Sequence, residues 1–420
     1  MADSKNIMFI WLGAVWHTII RSIDIWAKKQ NRKLNFFILS RDNTFEDELQ
    51  WYDIKYKTII QKDFKKFLST KKKFDQNIDI TINCVSPIFN KSILQRCIAN
   101  KSYYLDLASN IWADELQKKE FEQDWFDHLF RKNKLTWIYN AGVSPGISEI
   151  LINYVIRKYA ITPISIEIYL KENFDSMIPL FSWSPSTAVD EILTKPIYID
   201  NKEVKYWDIF APQSKCAGKK KSSYYRVTQE ELVSLLSSYE DVSNLSMYIS
   251  WSEIEKIKFL YDIWLLSQEK AGNMSLVDIV KSKMPKSATP SEIKYAYRHG
   301  LIDDARFAFH INILWSDSTY TIILDYNKKS FDKIQNSIFS WSTSISYPTW
   351  LWASLVLQYI LSQFDSLNKW VYNCIKLAEQ MDIKYINKYI IKYLKSNNIK
   401  IKIKKSYDKN NICTCIKSFQ

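Results

Sequence analysis

The sequence predicts an α/β protein with an N-terminal Rossmann-type, doubly wound parallel sheet, a middle α+β domain, and C-terminal helices that pack back on the first domain. Over the first 140 residues, short apolar strands alternate with longer amphipathic segments, which is typical of a parallel sheet covered by helices. After Gly146 the pattern changes to strand-rich and then helical segments. We therefore expect domains at 1–145 and 146–345, returning helices at 346–400 and a basic tail at 401–420.

The elements follow from runs of apolar or β-branched residues for strands and from helical spacing of apolar residues for helices. In the first domain the predicted strands are residues 6–12, 34–40, 56–61, 78–84, 103–107 and 135–140, and the predicted helices are 14–30, 64–70, 92–100 and 113–132. Beyond it we predict a helix at 147–159, a strand at 165–171, a loop at 215–223, a mostly helical stretch at 230–283, a hairpin of 306–314 with 319–326, and helices from 350 to 395.

The composition excludes several classes of protein. With 420 residues, of which 47% are hydrophobic and 25% charged, the chain is neither disordered nor collagen-like. No apolar run is long enough for a membrane span, and the first residues lack the pattern of a signal peptide. The six cysteines are scattered, and Cys413 and Cys415 have no second pair or histidine nearby. We therefore expect a cytoplasmic protein without a metal site.

The net charge of +13 raises the question of a nucleic-acid partner. The lysines are spread along the chain, which favours an ordinary solvated surface over nucleic-acid binding. Only the runs at 219–221 and 392–405 stand out.

Glycine and tryptophan occur in unusual numbers. Average usage of about 7% would give roughly 29 glycines, whereas the chain has 6 glycines and 16 tryptophans. An α/β protein needs glycine where the backbone takes a positive φ, and tryptophan is a poor substitute there. Either the fold manages almost without glycine, or some tryptophans stand where the source protein has glycine.

The segment at 11–16 has the spacing of a dinucleotide-binding turn but lacks two of its three glycines. The expected pattern is Gly-x-Gly-x-x-Gly between a strand and a helix. The first predicted strand runs into Trp11, Gly13, Ala14, Val15 and Trp16, so the first and third glycines read tryptophan. These five residues are the predicted cofactor loop.

Four more tryptophans stand where glycine would be expected. They are Trp137, Trp264, Trp350 and Trp352. One hypothesis is that UGA codons meaning glycine have been written as tryptophan, and UGG codons at positions 11 and 16 would refute it. The alternative is that the tryptophans are genuine and the nucleotide site is divergent or decayed.

The end of the second predicted strand favours NADP(H). An acidic residue there binds the ribose 2′-hydroxyl of NAD, whereas arginine and small hydroxyl residues suit the 2′-phosphate of NADP. Ser40 and Arg41 occupy this position, and Asp42 follows one residue late. We expect NADP(H) as the cofactor and NAD(H) as the second choice, and we add Asp63, after the third strand, to the cofactor-binding candidates.

Six motifs follow one another along the chain. They are Ile-Asn-Cys-Val-Ser-Pro at 82–87, Tyr-Tyr-Leu-Asp-Leu-Ala at 103–108, Ala-Gly-Val-Ser-Pro-Gly-Ile at 141–147, Phe-Ser-Trp-Ser-Pro at 181–185, the helix end at 255–266, and Trp-Leu-Trp-Ala at 350–353. In this order they resemble motifs of the saccharopine dehydrogenase family, which includes saccharopine reductase, lysine 6-dehydrogenase and carboxynorspermidine dehydrogenase relatives.

The resemblance implies roles for residues that follow the strands. The nicotinamide side of the cofactor would be lined by Val85, Ser86, Pro87 and Asn90. Asp106 would orient the reacting groups or exchange a proton, unless it caps the turn after its strand. Substrate would be bound by residues of the third and fourth motifs, namely Gly142, Ser144, Pro145, Gly146, Ser182 and Trp183, unless Gly142, Pro145 and Gly146 only shape the hinge that leaves the nucleotide domain.

The activity implied by the resemblance is hydride transfer between nicotinamide and an imine or secondary amine of an amino-acid or polyamine substrate, in a homodimer. Two alternatives remain, a homospermidine-synthase-like aminoalkyl transferase that uses NAD(P), and a catalytically inactive protein with this fold. One departure concerns the substrate, because the family's Arg-Tyr stretch before the Glu255 helix reads Met247-Tyr248 here. Candidate replacements for the arginine are Arg226, Arg298 and Arg306.

Overall fold

A computed structural model describes residues 4–10, 16–41, 54–63, 66–67, 74, 76–109, 125–213, 224–364, 366–367 and 370–407. Four residues of the predicted cofactor loop, Trp11, Gly13, Ala14 and Val15, lie outside the described residues. So do the predicted loop 215–223 and most of the predicted helices 64–70 and 113–132.

The described residues contain eighteen strands. They are β1 (Lys5–Ile10), β2 (Leu34–Ser40), β3 (Tyr56–Ile60), β4 (Ile80–Asn83), β5 (Tyr103–Asp106), β6 (Trp137–Ile138), β7 (Ser165–Ser176), β8 (Ile197–Asp200), β9 (Glu203–Tyr206), β10 (Pro212–Gln213), β11 (Tyr224–Arg226), β12 (Asn244–Trp251), β13 (Lys270–Ala271), β14 (Met274–Ser275), β15 (Ile302–Trp315), β16 (Ser318–Tyr326), β17 (Val371–Tyr372) and β18 (Lys400–Ser406).

The helices of the described residues are α1 (Trp16–Lys29), α2 (Asn90–Asn100), α3 (Asp127–Lys132), α4 (Ile147–Tyr159), α5 (Pro185–Leu193), α6 (Glu230–Ser238), α7 (Ile254–Asp262), α8 (Leu276–Lys283), α9 (Pro290–Arg298), α10 (Lys328–Gln335), α11 (Ser346–Ser362), α12 (Cys374–Glu379), α13 (Ile383–Tyr385) and α14 (Lys392–Ser396). A 3₁₀ turn at Pro87–Phe89 precedes α2, and a π-helical turn at Ile386–Ile391 joins α13 to α14. Among these helices none is both long enough and apolar enough to cross a bilayer.

The first compact unit comprises Met1–Asn153, Val233–Ser238 and Tyr347–Ile390. Its seven strands are all parallel and lie in the order β3-β2-β1-β4-β5-β6-β17. The order 3-2-1-4-5-6 is that of dinucleotide-binding Rossmann sheets. The predicted doubly wound parallel sheet is therefore confirmed.

The core of this unit explains the apolar strands of the sequence. The last four residues of β1, Ile7, Met8, Phe9 and Ile10, have no exposed surface. Helices cover both faces of a parallel sheet, so its central strands read as continuous apolar runs rather than alternating ones.

Residues Tyr347–Ile390 belong to the same unit, whereas Ile391–Gln420 belong to the second unit. Strand β17 lies beside β6, with Val371 opposite Trp137. Helix α11 begins at Ser346, so Trp350 and Trp352 lie inside it, and the prediction that they mark its start is wrong. Both indoles are fully buried.

The second compact unit comprises Tyr154–Leu232, Tyr239–Ser346 and Ile391–Gln420. It contains a nine-stranded mixed sheet in the order β10-β11-β12-β7-β15-β16-β18, with β8 paired to β12 and β9 paired to β8. Strands β7 and β12 are parallel, and the other pairs are antiparallel. This is the α+β architecture expected after the nucleotide-binding domain.

Predictions for the second unit have mixed outcomes. The hairpin is confirmed, since β15 and β16 pair from Phe307 opposite Tyr326 to Trp315 opposite Ser318. The mostly helical stretch at 230–283 is wrong in its middle, where β12 is a strand beside β7. The basic tail at 401–420 is wrong in its first residues, because β18 pairs with β16. In both segments, sheet pairing overrides the local pattern.

Non-glycine residues supply most of the positive φ angles in the described chain. Twelve of them have positive φ, compared with three glycines. Several are asparagines or lysines at helix ends, but Trp264 at 66° and Trp341 at 70° are bulky residues in the left-handed region. The fold therefore tolerates the scarcity of glycine, and at these two tryptophans it does so with backbone strain.

Candidate functional site

The carboxyl edge of the parallel sheet gathers polar side chains at the ends of neighbouring strands. Asn83 ends β4 and Asp106 ends β5, and the two residues are direct partners in the register of the strands. Ligands of open α/β sheets bind outside the carboxyl ends of the strands, where the strand order reverses. This edge is the candidate cofactor-binding region of the first unit.

Asn90, predicted to line the nicotinamide side, is 2% exposed and bonded internally. Its Oδ1 accepts a hydrogen bond of 2.7 Å from Nδ2 of Asn83, which also donates to the hydroxyl oxygen of Tyr104 at 2.8 Å. Its Nδ2 donates to the carbonyl of Ala108 at 3.0 Å. These bonds fix the ends of β4 and β5 relative to α2. Asn90 therefore positions the carboxyl edge of the parallel sheet. A contact with the cofactor stays a prediction.

The turn after β4 presents a more exposed surface. Ser86 and Ile88 are exposed, and Ile88 has 71% of its surface accessible. Val85 donates its backbone N–H to Oδ1 of Asn83, at 3.1 Å, which fixes the start of the turn. An exposed isoleucine at the carboxyl end of a central strand was not among the predicted residues. Its sequence signal is an apolar residue directly after Ser86 and Pro87.

The carboxyl group of Asp106 is 1% exposed and lies against the backbone of the next strand's end. Its Oδ1 accepts a hydrogen bond of 2.8 Å from the N–H of Asn140, whose φ is 59°. Ser109 also bonds the side chain of Asn140, and the thiol of Cys374 donates to the Asn140 carbonyl at 3.4 Å. Together these contacts hold Asn140 in the left-handed backbone conformation, directly before the 141–147 turn.

Glycine is required at both ends of the 142–146 turn. A Cβ on Gly146, where φ is 131°, would lie 1.9 Å from the Gly142 carbonyl oxygen. A Cβ on Gly142 would lie 2.9 Å from the carbonyl oxygens of Leu107 and Pro145. The peptide bond between Ser144 and Pro145 is cis, and Ile147 donates its N–H to the Gly142 carbonyl at 3.2 Å. The turn is thus a compact backbone element at the start of α4, and substrate binding by its residues stays a prediction.

The residues predicted to select the cofactor lie at the ends of β2 and β3. Ser40 ends β2 and is 3% exposed, and Arg41 follows it on the surface. Asp63 accepts a hydrogen bond of 3.0 Å from the N–H of Lys66, so its carboxyl caps the turn after β3. Trp16 begins α1.

Arg226 forms an unusual cationic group in the second unit. It is 8% exposed, and its guanidinium carbon lies 3.9 Å from the ring centre of Tyr198 and 4.5 Å from that of Trp207. One amino group donates to the hydroxyl of Tyr248 at 3.0 Å, while the buried Nε and the other amino nitrogen have no hydrogen-bond partner within the described residues. No carboxylate of the described chain pairs with it. Buried charge without a counter-ion is costly, so this site is suited to an anionic ligand.

A pair of buried acids lies elsewhere in the same unit. Glu172 and Glu253 are each 6% exposed. Removal from water, reinforced by the charge of Glu253, raises the pKa of Glu172 to about 8, while the nearby indole of Trp183 opposes this shift. Burial also raises the pKa of Glu253, although a hydrogen bond of 2.9 Å from the Ser252 hydroxyl lowers it. At neutral pH the Glu172 carboxyl therefore holds its proton.

The predicted substrate residue Trp183 lies near the carboxyl group of Glu172, and Ser182 directly precedes Trp183 in the chain. The Trp183 ring lies 5.9 Å from that of Trp251, and the Ser182 carbonyl accepts a hydrogen bond of 2.9 Å from Thr343. Burial, followed by the charge of Glu172, raises the pKa of Glu191, which Gln229 contacts through its side-chain amide.

The pleat of β12 separates the arginine from the acids. Arg226 is opposite Tyr248, whereas Glu172 is opposite Trp251. Residues 248 and 251 differ by an odd number, so their side chains point to opposite faces of the sheet. The arginine and the acids are therefore two separate groups rather than one site.

The sequence contained signals for these groups. In β7 every second residue from Ile166 to Phe174 is buried, with Tyr169 buried in addition, and Glu172 occupies one of the alternating positions. An acidic residue in the inward phase of a strand is a candidate for a shifted pKa. Arg226 was a candidate replacement for the family's substrate-binding arginine, but its burial was not predicted, because it depends on the aromatic side chains of β8, β12 and Trp207. Among the described residues, no three His, Cys, Asp or Glu side chains are grouped to hold a metal ion.

Comparison with known proteins gives structural likeness alone. No protein-family model matches the chain, and no curated protein matches its sequence. Saccharopine dehydrogenase (L-Glu forming) from Saccharomyces cerevisiae, in its apo form, aligns with a TM-score of 0.62 and 14% identity over 96% of this chain and 100% of its own. This likeness shows a shared fold along almost the full length of both chains, and it supports the predicted resemblance to the saccharopine dehydrogenase family.

Two further solved structures align with lower TM-scores. An oxidoreductase from Agrobacterium radiobacter in complex with NAD+, L-tartaric acid and magnesium has a TM-score of 0.39 and 8% identity, over 86% of this chain and 89% of its own. Dipicolinate-bound dihydrodipicolinate reductase from Paenisporosarcina sp. TG-14 has a TM-score of 0.38 and 8% identity, over 90% of this chain and 100% of its own.

Proposed function

We propose that this chain is an NAD(P)(H)-dependent oxidoreductase of the saccharopine dehydrogenase type, acting on a carbon–nitrogen bond. The observation that carries the proposal is the fold shared with the yeast enzyme, which covers both compact units rather than the nucleotide-binding sheet alone. Because a nucleotide-binding sheet serves many reactions, the second unit is what narrows the class.

The carboxyl edge of the parallel sheet supports a nicotinamide nucleotide as the cofactor. Ser40 and Arg41 at the end of β2 would hold the 2′-phosphate of NADP(H), and the exposed Ile88 offers an apolar surface to a nicotinamide ring. When bound, the nucleotide supplies or accepts the hydride. NADP(H) remains our first choice and NAD(H) the second.

Arg226 supports a substrate that carries a carboxylate. Its buried Nε–H and one amino group have no hydrogen-bond partner within the described residues, and a carboxylate would accept hydrogen bonds from such groups. The surrounding rings restrict the guanidinium plane, so the carboxylate would be oriented as well as bound. This favours an amino-acid substrate over a polyamine without a carboxylate.

We also propose that the protein is a cytoplasmic homodimer. Cys84, Cys97 and Cys374 form no disulfide, which agrees with a reducing compartment. Light scattering of the purified protein tests the dimer.

The decisive experiment combines binding and turnover. Calorimetry with NADPH and NADH tests cofactor binding, and absorbance of the reduced cofactor follows turnover with pairs of amino acids and keto acids or aldehydes. The proposal expects binding and net cofactor oxidation with at least one pair. Products formed without net cofactor oxidation would indicate the aminoalkyl transferase alternative, and failure to bind either nucleotide would indicate an inactive protein.

A further inference from the structure

A cavity of about 480 Å³ lies in the second unit, at the edge formed by α10, α14 and β18. Ten residues line it, of which five are lysines and none is acidic. The lysines are Lys329, Lys333, Lys395, Lys400 and Lys402. We call this feature the lysine-lined cavity. It lies on elements that have no part in the proposed cofactor or carboxylate sites.

Three different elements supply these lysines. Lys329 and Lys333 are one helical turn apart on α10, and like charges at this spacing repel each other. Lys400 and Lys402 are alternate residues of β18, so they project from the same face of the strand. Lys395 comes from α14. Convergence of separate elements on one concavity concentrates positive potential more than a run along one element does.

Neighbouring charged residues form ion pairs, whereas the cavity lysines form none with the residues that the structure describes. On α10, Lys328 forms an ion pair with Asp332, and on the adjacent strands Arg306 pairs with Asp325 at 2.9 Å. In the part of the chain that the structure describes, none of the five cavity lysines pairs with a carboxylate. Two neighbouring carboxylates are already engaged, because Asp325, the cross-strand partner of Lys400, pairs with Arg306, and Asp332 pairs with Lys328.

Protection of a sheet edge does not account for the whole arrangement. β18 is the last strand of its sheet, and lysines on edge strands prevent unwanted pairing with other chains. That function explains Lys400 and Lys402. It does not explain Lys329 and Lys333, which lie on a helix and face the same cavity.

We propose that the lysine-lined cavity binds a small anion that carries two or more phosphate groups. Five ammonium groups match several phosphate oxygens, and Ser330 and Asn398 add polar groups to the lining. The lining contains no aromatic residue, whereas proteins that bind single-stranded nucleic acid stack bases on aromatic rings. A compact phosphate-rich molecule therefore suits the cavity better than an oligonucleotide.

Calorimetric titration of the full chain with inorganic tripolyphosphate tests the proposal. The double variant Lys333→Glu with Lys402→Glu reverses two charges of the lining that come from different elements, α10 and β18. The matched control is Lys270→Glu with Lys286→Glu, two exposed lysines of the same unit that do not line the cavity. We expect saturable binding that weakens at least about tenfold in the cavity variant and less than about threefold in the control.

Three results would overturn the proposal. The first is equal loss of tripolyphosphate affinity in both double variants, which would mean that net charge alone governs binding. The second is tighter binding of a single-stranded oligonucleotide than of tripolyphosphate, with the same dependence on the cavity lysines. The third is no saturable binding by the folded wild-type chain. Circular dichroism of both variants confirms folding, and NADPH binding by the cavity variant distinguishes failure here from failure of the proposed function.

Discussion

Oδ1 of Asp106 accepts a hydrogen bond of 2.8 Å from the backbone N–H of Asn140. The bond links the end of β5 to a residue with a positive φ of 59°, directly before the turn that starts α4. Asp106 was predicted to orient reacting groups or exchange a proton. Its described contacts favour a positioning role, because the carboxyl is buried against the loop that it holds.

Replacing Asp106 separates positioning from proton exchange. Asp106→Ala leaves the Asn140 N–H without its acceptor and is expected to lower the free energy of unfolding by about 1–3 kcal/mol. Asp106→Asn keeps an oxygen acceptor and is expected to retain most of the stability and of the NADPH-dependent turnover. Urea unfolding and steady-state kinetics measure the two quantities. A loss of kcat in Asp106→Asn of about a hundredfold or more, at unchanged stability, would restore the proton-exchange role.

Trp264→Gly is expected to stabilise the protein by about 1 kcal/mol. Trp264 follows the end of α7 with a φ of 66°, its N–H donates to the Tyr261 carbonyl at 2.9 Å, and Leu265 donates to Leu260 at 3.0 Å. This is the Schellman ending, in which glycine is preferred at the left-handed position. The indole is 71% exposed, so its removal sacrifices little packing.

Thermal unfolding measures this effect. The matched control is Trp125→Gly, because Trp125 is 51% exposed and is not among the residues with positive φ. It is expected to gain nothing. Equal effects of the two substitutions would show that backbone strain at 264 is not the cause.

Trp137→Gly is expected to have the opposite effect, a loss of at least about 3 kcal/mol. The Trp137 ring is fully buried and lies 5.0 Å from the ring of Phe130 and 5.2 Å from that of Tyr104. Glycine there would leave a large cavity in the first unit's core. Trp137→Phe should recover a substantial part of the loss, because an aromatic ring refills the space. If Trp137→Gly unfolds at the same urea concentration as the wild type, the cavity argument fails.

Glu172→Gln is expected to change how stability depends on pH. The folded-state pKa of about 8 lies above the ordinary value of 4.5, so the native protein keeps a proton that the unfolded chain releases between these values. Stability therefore falls as pH rises through this window, by up to about 1.4 kcal/mol per pH unit from this group.

Glutamine removes the titrating group, so the variant should lose stability less steeply between pH 4.5 and 8. The slope does not vanish, because burial also raises the pKa of Glu253. Urea unfolding at several pH values measures it, with the exposed Glu240→Gln as the control. Parallel stability curves for Glu172→Gln and the wild type would contradict the assignment.

Arg226→Met is expected to leave stability within about 1 kcal/mol of the wild type, because replacing a buried charge by an apolar chain of similar length removes its desolvation cost. The same variant should raise KM for a carboxylate-bearing substrate at least about tenfold while leaving the Kd for NADPH unchanged. Arg298, another candidate from the sequence, is exposed, so Arg298→Met is the comparison variant and is expected to leave this KM unchanged. An unchanged KM in Arg226→Met would remove Arg226 from the proposed substrate site.

Local sequence patterns were sufficient to predict the bounds of elements in which most residues are buried. β2, at Leu34–Ser40, and α4, at Ile147–Tyr159, have the predicted bounds. The local pattern mispredicted β12 as helix, because a buried strand with neighbouring strands on both sides has no local signal that separates it from a buried helix. It failed at β18 as well, where alternating Lys and Ile read as a charged tail until pairing with β16 gave the isoleucines a buried face.

By itself, the sequence determined the parallel sheet, the resemblance to the saccharopine dehydrogenase family and the positions at which tryptophan stands where glycine is expected, because each depends on residues close together along the chain. Only the tertiary structure decided the surroundings of Arg226 and of Glu172. Their burial depends on strands that are distant in sequence and neighbours in the sheet. A charge's environment is set by every element packed against it, and no local pattern contains that information.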